Sequence, residues 1–506
     1  MKTKKLPVIL LAILMVFSVL PIGVSAVSRP VATDSTASIT VENALENDEL
    51  AAYKVIDITY DADKNTLSYA WNSYFADYFA GTTSYNTTAY TVEQFAELSS
   101  DSDAFKNLLA NLPNYISNRK IDNVDAPIAP VATQTVAVDG TATFADLGMG
   151  EYFIRPTSTT SVYQLMLQRI EPTVVDGTYV IDDVTFSAKK QEVNITKSAN
   201  KTSVTKNEKV TYTLTVDIPT YSTNAADKSF YVSDLLPDGL TIDTDSTISV
   251  KVNNADVATE AYTLDTTAKT EYTFKLSVST EQYTSNWSAN GGHSLIITYE
   301  ATLNDNNTTE VNVNETNTAK FDYSYYPYVE NSHKQKTDTV DVTTFAIKID
   351  KFAYAEETKK LSGAMFDLYR TATQAEIAAG TAVVIPHTEV EGIMLESGSV
   401  TDENGAATFA KYEANGTNYD YYLVETKAPT GYNLLDTPVK VNFTDAEVEA
   451  TGGVYTVKVP NNSGIMLPIT GGMGTVIFTA LGIVLMGTAL TAYIIFRKKV
   501  KAKESR

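Results

Sequence analysis

The chain has 506 residues, contains no cysteine and carries a formal net charge of -22 at pH 7. Its acidity argues against nucleic acid as a partner, because phosphates repel an acidic surface. The lack of cysteine excludes disulfides and Cys-His catalysis, and three histidines leave little material for a zinc site or a Ser-His-Asp triad. We expect these histidines to be surface or turn residues and predict neither a cofactor nor a bound metal: His293, His333 and His387.

The first element is a short N-terminal segment of basic, then apolar, then small residues. MKTKK is followed by LPVILLAILMVFSVL and, a few residues later, by Val24-Ser25-Ala26. This order is typical of a secretory signal peptide that is cleaved after about Ala26. We therefore assign residues 1–26 to the signal and expect the rest of the chain to be exported.

The exported chain contains many short segments in which apolar and polar residues alternate. In KVTYTLTVDIP (209–219) and EYTFKLSVS (271–279) the apolar side chains fall on one face. Period two indicates half-buried strands, and many such strands separated by Asn, Asp and Gly predict antiparallel β-sandwiches. Helix is a minority, and the best candidate is DAFKNLLANLPNYI (103–116), where apolar residues recur at helical spacing.

The strand pattern restarts twice, which divides the exported chain into three predicted domains: 27–190, 191–343 and 344–466. The predicted fold class is mainly β, with three immunoglobulin-like β-sandwiches in tandem. Because the linkers between them are short, we expect an elongated rod rather than domains on flexible tethers.

Residues 467–506 combine a pentapeptide, an apolar span and a basic tail. From Met473 to Phe496 the chain is nearly free of polar side chains and is about 36 Å long if helical, which is enough to cross a membrane. The tail then stays in the cytoplasm by the positive-inside rule. The basic residues are Arg497, Lys498, Lys499, Lys501 and Lys503, and the pentapeptide is Leu467, Pro468, Ile469, Thr470 and Gly471.

This order of pentapeptide, span and tail resembles the LPxTG sorting signal of Gram-positive surface proteins. The resemblance implies that a sortase cleaves between Thr470 and Gly471 and joins the Thr470 carbonyl to an amine. The span is then only a transient anchor, and Pro468 stiffens the extended peptide that the enzyme grips. An ordinary C-terminal membrane anchor is the alternative that composition leaves open.

The third domain contains YYLVETKAPTGY (421–432), which matches in full the pilin E-box pattern YxLxETxAPxGY. The segment before it, IKIDKFAYAEETKKLSGAMFDLY, is similar to the opening of B-type domains of collagen adhesins, and VYTVKVPNNSG closes the domain. In such domains a Lys and an Asn condense into an isopeptide bond, assisted by the E-box Glu. By position, the resemblance implies Lys351, Glu425 and Asn461, with Asn462 as the alternative acceptor.

The physical chemistry of burial supports this reading. Burial lowers the pKa of a lysine and raises that of a carboxylic acid. A neutral amine is nucleophilic, and a protonated carboxyl can donate a hydrogen bond to the Asn carbonyl, after which ammonia leaves. The alternative is a plain Lys-Glu salt bridge beside a capping Asn.

The second domain carries a different version of the pattern. NITKSANK opens it, YVSDLLPDGL lies inside it, and NETNTAKFDY closes it and resembles the NxAxxxY ending of pilin middle domains. The resemblance implies a second triad of Lys197, Asp234 and Asn317. Lys201 is the fallback nucleophile, and a turn residue is the alternative role of Asp234.

The first domain departs from the pattern. AYKVIDITYD resembles a B-type opening with Lys54, but Arg155 stands in ATFADLGMGEYFIRPT where the family has an acid. Without that carboxyl we predict no isopeptide bond here. DADKN (61–65) resembles the start of a calcium loop but has Thr66 where the loop needs Gly, so we predict a plain turn.

The amine that accepts Thr470 is the remaining question. Major pilins that sortases assemble use a Lys of a YPK-like motif near the end of the first domain. Here the corresponding stretch is VTFSAKKQEVNITK (184–197). We predict Lys189 as the acceptor and Lys190 as the runner-up, and the alternative is a solvated pair of linker lysines.

The chain is identified by these motifs as similar to the major pilins of sortase-assembled pili. The resemblance implies a structural, non-enzymatic, wall-anchored pilus subunit. Its implied partners are sortase, identical subunits, minor pilins, peptidoglycan and possible host-surface ligands. The alternatives are a monomeric wall-anchored adhesin, which needs no acceptor lysine, and a surface hydrolase, for which no nucleophile-His-acid set is apparent.

Overall fold

The structure of the protein is a computed structural model that describes residues 29–99, 102–242, 248–304, 313–415, 419–463 and 473–504. The predicted signal peptide (1–26) and the LPITG pentapeptide (467–471) lie outside the described residues. Strands dominate the described chain, which confirms the mainly β prediction.

The chain forms two compact units, one up to Thr343 and the other from Thr344. The first unit has two hydrophobic cores, one built from residues 37–188 and one built mostly from residues 193–342. The second unit has its main core within residues 345–459. The predicted boundaries at 190/191 and 343/344 remain predictions.

The first core packs a set of sheets against helices. Its longest strand, Glu49–Asp61, pairs antiparallel with Gly150–Ser158, Thr66–Trp71 and Ala132–Thr135. The predicted helix is confirmed as Asp103–Asn118, which Ser102 caps by accepting a hydrogen bond from the Phe105 N–H. The other strands are Arg29–Pro30, Thr36–Glu42, Lys120–Ile121, Val124–Asp125, Ala142–Gly148, Ser161–Tyr163, Met166–Ile170, Thr173–Val175, Thr178–Ile181, Val184–Ser187 and Lys190–Glu192; the short helices are Ala76–Phe79 and Val92–Glu97.

The second core lies between two facing sheets. The predicted strand is observed as Lys209–Asp217, with alternate residues buried as period two requires. One sheet contains Ile195–Ala199, Lys209–Asp217, Ser294–Leu303, Leu240–Ile242, Ser249–Val252 and Ala255–Asp256. The other contains Thr263–Asp265, Phe274–Val278, Phe230–Leu235, Val313–Ser324 and the N-terminal part of His333–Ala353. Short helical elements occupy Thr259–Ala261, Thr280–Gln282, Tyr283–Trp287 and Ser288–Asn290.

The third core also lies between two sheets. The C-terminal part of His333–Ala353 pairs antiparallel with Ala406–Tyr412 and parallel with Val454–Asn461. The other sheet contains Val383–Val384, Glu391–Val400, Met365–Thr371, Tyr421–Lys427 and Val439–Val441. The remaining elements are the strand Glu356–Lys360 and the helices Gln374–Ala379 and Asp445–Glu449.

The last element is the helix Met473–Glu504. Within it, Phe478–Lys498 is long and apolar enough to cross a membrane, by length and composition. A helix therefore forms where the sequence predicts the apolar span.

Candidate functional site

The three residues predicted in the third domain come together in its core. Lys351 and Asn461 lie on neighbouring parallel strands, with Ala353 directly opposite Asn461 in the register. Glu425 comes from the facing sheet, on the strand Tyr421–Lys427. Because the strand period is two, all three side chains point into the space between the sheets. The side chains of Lys351 and Glu425 are 0% exposed.

Direct contacts join these three side chains, which we call the Lys351 cluster. Lys351 Nζ donates to Asn461 Oδ1 at 2.5 Å and lies 3.0 Å from Glu425 Oε1. Asn461 Nδ2 donates to the two Glu425 oxygens at 3.0 and 3.2 Å. The backbone fixes both partners: Leu435 N–H donates to Glu425 Oε2, and the Asn433 carbonyl accepts from Asn461 Nδ2.

The electrostatics of the Lys351 cluster favour the neutral amine. Burial lowers the pKa of Lys351 below its ordinary value, although the nearby Glu425 opposes the shift. The predicted acid, however, faces a different atom from the one expected. Glu425 contacts Nδ2 of Asn461 and not its carbonyl oxygen, because that oxygen accepts from Lys351. The alternative acceptor, Asn462, is exposed.

The second predicted triad also meets in a core, and we call it the Lys197 cluster. Lys197 lies on one sheet, at the strand Ile195–Ala199, while Asp234 and Asn317 lie on adjacent strands of the facing sheet. Lys197 Nζ forms a short ion pair with Asp234 Oδ2, and both side chains are 0% exposed. Asn317 is likewise fully buried. A covalent bond between Lys197 and Asn317 would therefore link the two sheets.

Burial shifts both ionisable groups of the Lys197 cluster toward their neutral forms. It lowers the pKa of Lys197 and raises the pKa of Asp234, and in each case the attraction of the partner charge only partly offsets the burial. The fallback nucleophile Lys201 lies elsewhere, where Nζ is 2.8 Å from Glu208 Oε2 and both side chains are partly exposed.

Sequence reasoning missed one member of the Lys197 cluster, Tyr299. Its hydroxyl donates to Asp234 Oδ1 at 2.7 Å and accepts from Asn317 Nδ2 at 2.7 Å. Tyr299 sits on the strand Ser294–Leu303, where every second residue is buried. The only available signal was a tyrosine among aliphatic inward-facing residues, since a buried phenol needs a polar partner.

The first domain contains a looser grouping around Lys54. Lys54 Nζ lies 3.2 Å from Asp57 Oδ1, and Asn72 Nδ2 donates to Asp57 Oδ2 at 3.2 Å. The Lys54 and Asp57 side chains are 21% and 37% exposed, so water still solvates the charges. Arg155 contacts Ser117 Oγ and the Tyr53 ring instead. The absence of a cross-link here stays a prediction, although a carboxylate does lie beside Lys54.

The two candidate acceptor lysines differ in their surroundings. Lys189 is exposed, and its carbonyl accepts from the Gln164 N–H. Lys190 begins the strand Lys190–Glu192, its side chain is 12% exposed, and its Nζ lies 2.6 Å from Glu192 Oε1. An attacking amine must be reachable by an enzyme-bound acyl group, so Lys189 is the better placed of the two.

The remaining sequence candidates have structural roles. In DADKN, Asp61 accepts hydrogen bonds from the N–H groups of Asp63 and Lys64, as in a turn. Among the described residues, no cluster of three potential metal ligands was found. His293 and His387 are exposed, and His387 has the positive φ of a turn residue.

The prediction is wrong for the third histidine, His333, which is held between two carboxylates. Its Nε2 lies 2.9 Å from Asp227 Oδ2 and its Nδ1 lies 2.5 Å from Asp322 Oδ1. Its ring also stacks on Tyr231, with centroids 5.6 Å apart. Burial alone would lower the pKa of His333, but the two aspartates outweigh it and raise that pKa to about 9.

We expect the His333→Gln variant to remove a pH-dependent part of the stability of the first unit. The pKa of His333 is about 9 in the folded protein and 6.5 ordinarily. Its contribution is therefore fully present below pH 6.5 and is lost as the pH rises through 9, and it amounts to at most about 3 kcal/mol. Urea unfolding at pH 6 and pH 10 measures it. Equal pH dependence in wild type and variant would contradict the assignment.

Comparisons with known proteins relate the chain to pilins. Residues 345–456 match the family described as the SpaA prealbumin-like fold domain. A fimbrial subunit type 1 of Actinomyces viscosus is 43% identical over 88 residues, which cover 17% of this chain and only 16% of that protein. The trypsin-resistant surface T6 protein of Streptococcus pyogenes is 25% identical over 393 residues, covering 62% of this chain and 70% of the relative.

Solved structures extend the likeness to the fold of most of the chain. The T6 backbone pilin of Streptococcus pyogenes, a modular three-domain structure, matches with a TM-score of 0.55 and 21% identity, covering 82% of this chain and 81% of that one. The full-length major pilin SpaD of Corynebacterium diphtheriae matches with a TM-score of 0.53 and 18% identity, covering 86% and 99%. The predicted pilin-like fold is thereby confirmed. In sequence and in fold, the chain is similar to the sortase-type major pilins.

Proposed function

We propose that this chain is the structural backbone subunit of a covalently polymerised pilus on the cell surface, stabilised by an internal Lys-Asn isopeptide bond in each of two domains. The likeness to T6, SpaD and a fimbrial subunit supports a structural subunit rather than an enzyme. The single observation that carries the cross-link is the Lys351 cluster, in which an amine, a carboxyl and an amide are buried in contact.

The geometry of the Lys351 cluster supports a complete condensation. The neutral amine of Lys351 attacks Cγ of Asn461, so that a new N–C bond forms and the bond from Cγ to Nδ2 breaks. One proton must travel from Nζ to Nδ2 before ammonia can leave. Glu425 Oε1 lies 3.0 Å from each nitrogen, so this carboxyl can take the proton from one and deliver it to the other.

A structural salt bridge is a poor explanation for these clusters. Exposed ion pairs contribute at most about 1 kcal/mol, and a buried pair must overcome the cost of removing both charges from water. Both clusters bury their lysines completely, and each has an amide in contact. Neutralisation followed by amide formation removes the desolvation cost altogether, because no charge remains.

Polymerisation would join the C-terminal sorting signal of one subunit to a lysine within the next subunit. In this proposal a sortase cleaves between Thr470 and Gly471 and joins the Thr470 carbonyl to Lys189 of the next subunit. The exposure of Lys189 and the apolar helix Met473–Glu504, which could hold the precursor at the membrane, support this order. The proposed partners are sortase, identical subunits, minor pilins and peptidoglycan at the wall. Host-surface ligands would then meet the assembled fibre.

Intact mass tests the proposed cross-links directly. The mature chain, residues 27–470, should weigh two ammonias less than its sequence mass, because each condensation expels one ammonia. High-resolution mass spectrometry, followed by sequencing of the linked peptides, should find Lys197 joined to Asn317 and Lys351 joined to Asn461.

Each other outcome has a distinct meaning. A full sequence mass would contradict both bonds. A third missing ammonia, located between Lys54 and Asn72, would contradict the prediction for the first domain. Linked peptides without any polymer in cells that make the cognate sortase would favour the monomeric wall-anchored adhesin.

A further inference from the structure

The hydroxyl of Tyr299 lies at the centre of the Lys197 cluster. It is within hydrogen-bond distance of all three predicted members: 3.1 Å from Lys197 Nζ, 2.7 Å from Asp234 Oδ1 and 2.7 Å from Asn317 Nδ2. The residue is 2% exposed, so water is excluded from its hydroxyl. No motif of the second domain pointed to this residue.

The Tyr299 hydroxyl occupies the position that one Glu425 oxygen has in the Lys351 cluster, next to the amide nitrogen. In the Lys351 cluster one carboxylate oxygen contacts both nitrogens of the reaction, the amine and the amide. In the Lys197 cluster the carboxylate of Asp234 pairs with the amine, while the amide nitrogen of Asn317 donates to the phenol oxygen. Asp234 also interacts with the Asn317 side chain, and the Tyr299 hydroxyl lies 2.7 Å from both the acid and the leaving nitrogen.

We propose that Tyr299 is a catalytic residue of the middle-domain cross-link, which relays the proton between Asp234 and the leaving nitrogen of Asn317. This proposal rests on the proposed function, since it presupposes that the Lys197–Asn317 bond forms. The chemical class of the reaction is transamidation between a primary amine and a carboxamide, with ammonia as the only product besides the new amide.

Lys197 first gives one proton to Asp234, which leaves a neutral amine and a neutral carboxyl. The amine nitrogen attacks Cγ of Asn317 and forms the N–C bond. Asp234 donates its proton to the Tyr299 oxygen while the Tyr299 hydroxyl proton passes to Nδ2, and the Cγ–Nδ2 bond breaks. The second proton of the amine returns to Asp234, so that acid and phenol are both regenerated and one ammonia leaves.

Two further observations support a relay through a neutral phenol. Burial, reinforced by the nearby charge of Asp234, raises the pKa of Tyr299 well above its ordinary value, so the hydroxyl keeps its proton between transfers. In the described chain, the carbonyl oxygen of Asn317 is buried without a hydrogen-bond donor. Protonation of the leaving nitrogen is the step that the Tyr299 hydroxyl can assist.

The Tyr299→Phe variant tests the relay. The mature chain is made by cell-free synthesis, and the linked peptides are quantified against time and pH. We expect the Lys197–Asn317 bond to form about 100-fold more slowly or not at all, because the loss of general acid-base catalysis costs about that much. The Lys351–Asn461 bond of the same molecules should form at the normal rate and serves as an internal control. A wild-type rate at Lys197 would overturn the proposal.

A matched control separates chemistry from packing. Tyr283 is another buried tyrosine of the same core, 1% exposed, whose hydroxyl donates to the Pro219 carbonyl. The Tyr283→Phe variant should form the Lys197–Asn317 bond at the normal rate. If both phenylalanine variants slow it equally, loss of packing accounts for the effect and the relay is wrong.

A difluorotyrosine placed at position 299 covers the case in which Tyr299→Phe does not fold. This residue keeps the ring and the hydroxyl but makes the hydroxyl more acidic, so the pH profile of bond formation should move to lower pH. An unmoved profile would overturn the relay. Failure of the proposed function gives results that differ from failure of the relay. The wild type then lacks the Lys197–Asn317 bond, or an Asp234→Asn variant forms that bond at the normal rate.

Discussion

The Glu425→Ala variant should retain one more ammonia than wild type and should unfold its second unit at a much lower temperature. Without the carboxyl, nothing in the Lys351 cluster carries the proton from the amine to the amide nitrogen. The lost bond would have closed a loop between residues 110 apart in sequence, which the chain-entropy model values at about 5 kcal/mol. For a domain of this size the melting temperature should fall by about 20 °C. Intact mass and calorimetry measure the two effects.

Two control variants show whether the loss of the bond or the change in buried charge lowers the melting temperature. Asn461→Ala also prevents the bond but keeps the 3.0 Å contact between Lys351 and Glu425, so its melting temperature should fall for lack of the bond alone. Glu357→Ala removes an exposed carboxylate that pairs with Lys458, and it should leave mass loss and stability almost unchanged. A Glu425→Ala protein that still lacks both ammonias would exclude Glu425 as the proton carrier.

The mechanical consequence follows from the positions of the two bonded residues. Lys351 lies near the start of the second unit. Asn461 ends the strand Val454–Asn461 and precedes the pentapeptide by only a few residues in the sequence. Tension that enters at one end and leaves at the other would pass through the amide rather than through the hydrogen-bonded sheets. An unchanged melting point in Glu425→Ala would undercut this argument.

The Lys189→Ala variant should abolish covalent polymers made with the cognate sortase. Without the acceptor amine, the acyl-enzyme formed at Thr470 has no subunit to receive the chain. Detergent gels of boiled fibres measure this as the loss of the high-molecular-weight ladder. The isolated subunit should keep its mass deficit and melting temperature, because Lys189 is exposed and belongs to neither buried cluster.

Lys190→Ala is the matched control for the acceptor assignment. Its side chain is only 12% exposed and pairs with Glu192, so its loss should leave the ladder intact. A ladder that persists in Lys189→Ala but disappears in Lys190→Ala would move the acceptor to Lys190. A ladder that persists in both single variants and in the double variant would place the acceptor elsewhere in the chain.

Local pattern predicted the elements because their causes are local. The alternation in residues 209–217 is the alternation of burial along one strand, and the apolar stripe with its Ser102 cap produces the helix Asp103–Asn118. The members of the two predicted triads were found through motifs at the ends and middles of domains. Those motifs identify residues but do not specify distances.

The residues that sequence reasoning missed depend mostly on contacts between different strands. Tyr299 reaches Asp234 and Asn317 only because two sheets face each other, and nothing in SLIITYEATL reports that. His333 is charged because Asp227 and Asp322 approach it from other parts of the chain. Asp57 is three residues from Lys54, and Asn72 reaches Asp57 from the end of the paired strand.

The sequence by itself determined the acidic, cysteine-free composition, the period-two strands and the apolar C-terminal helix. These properties follow from composition and from neighbours along the chain. Only the tertiary structure decided which atom of Asn461 faces Glu425, that Tyr299 joins the Lys197 cluster, and that Lys190 is held by Glu192 while Lys189 is exposed. Burial, shifted pKa values and distances between side chains are properties of the packed core, so they exist only in the folded protein.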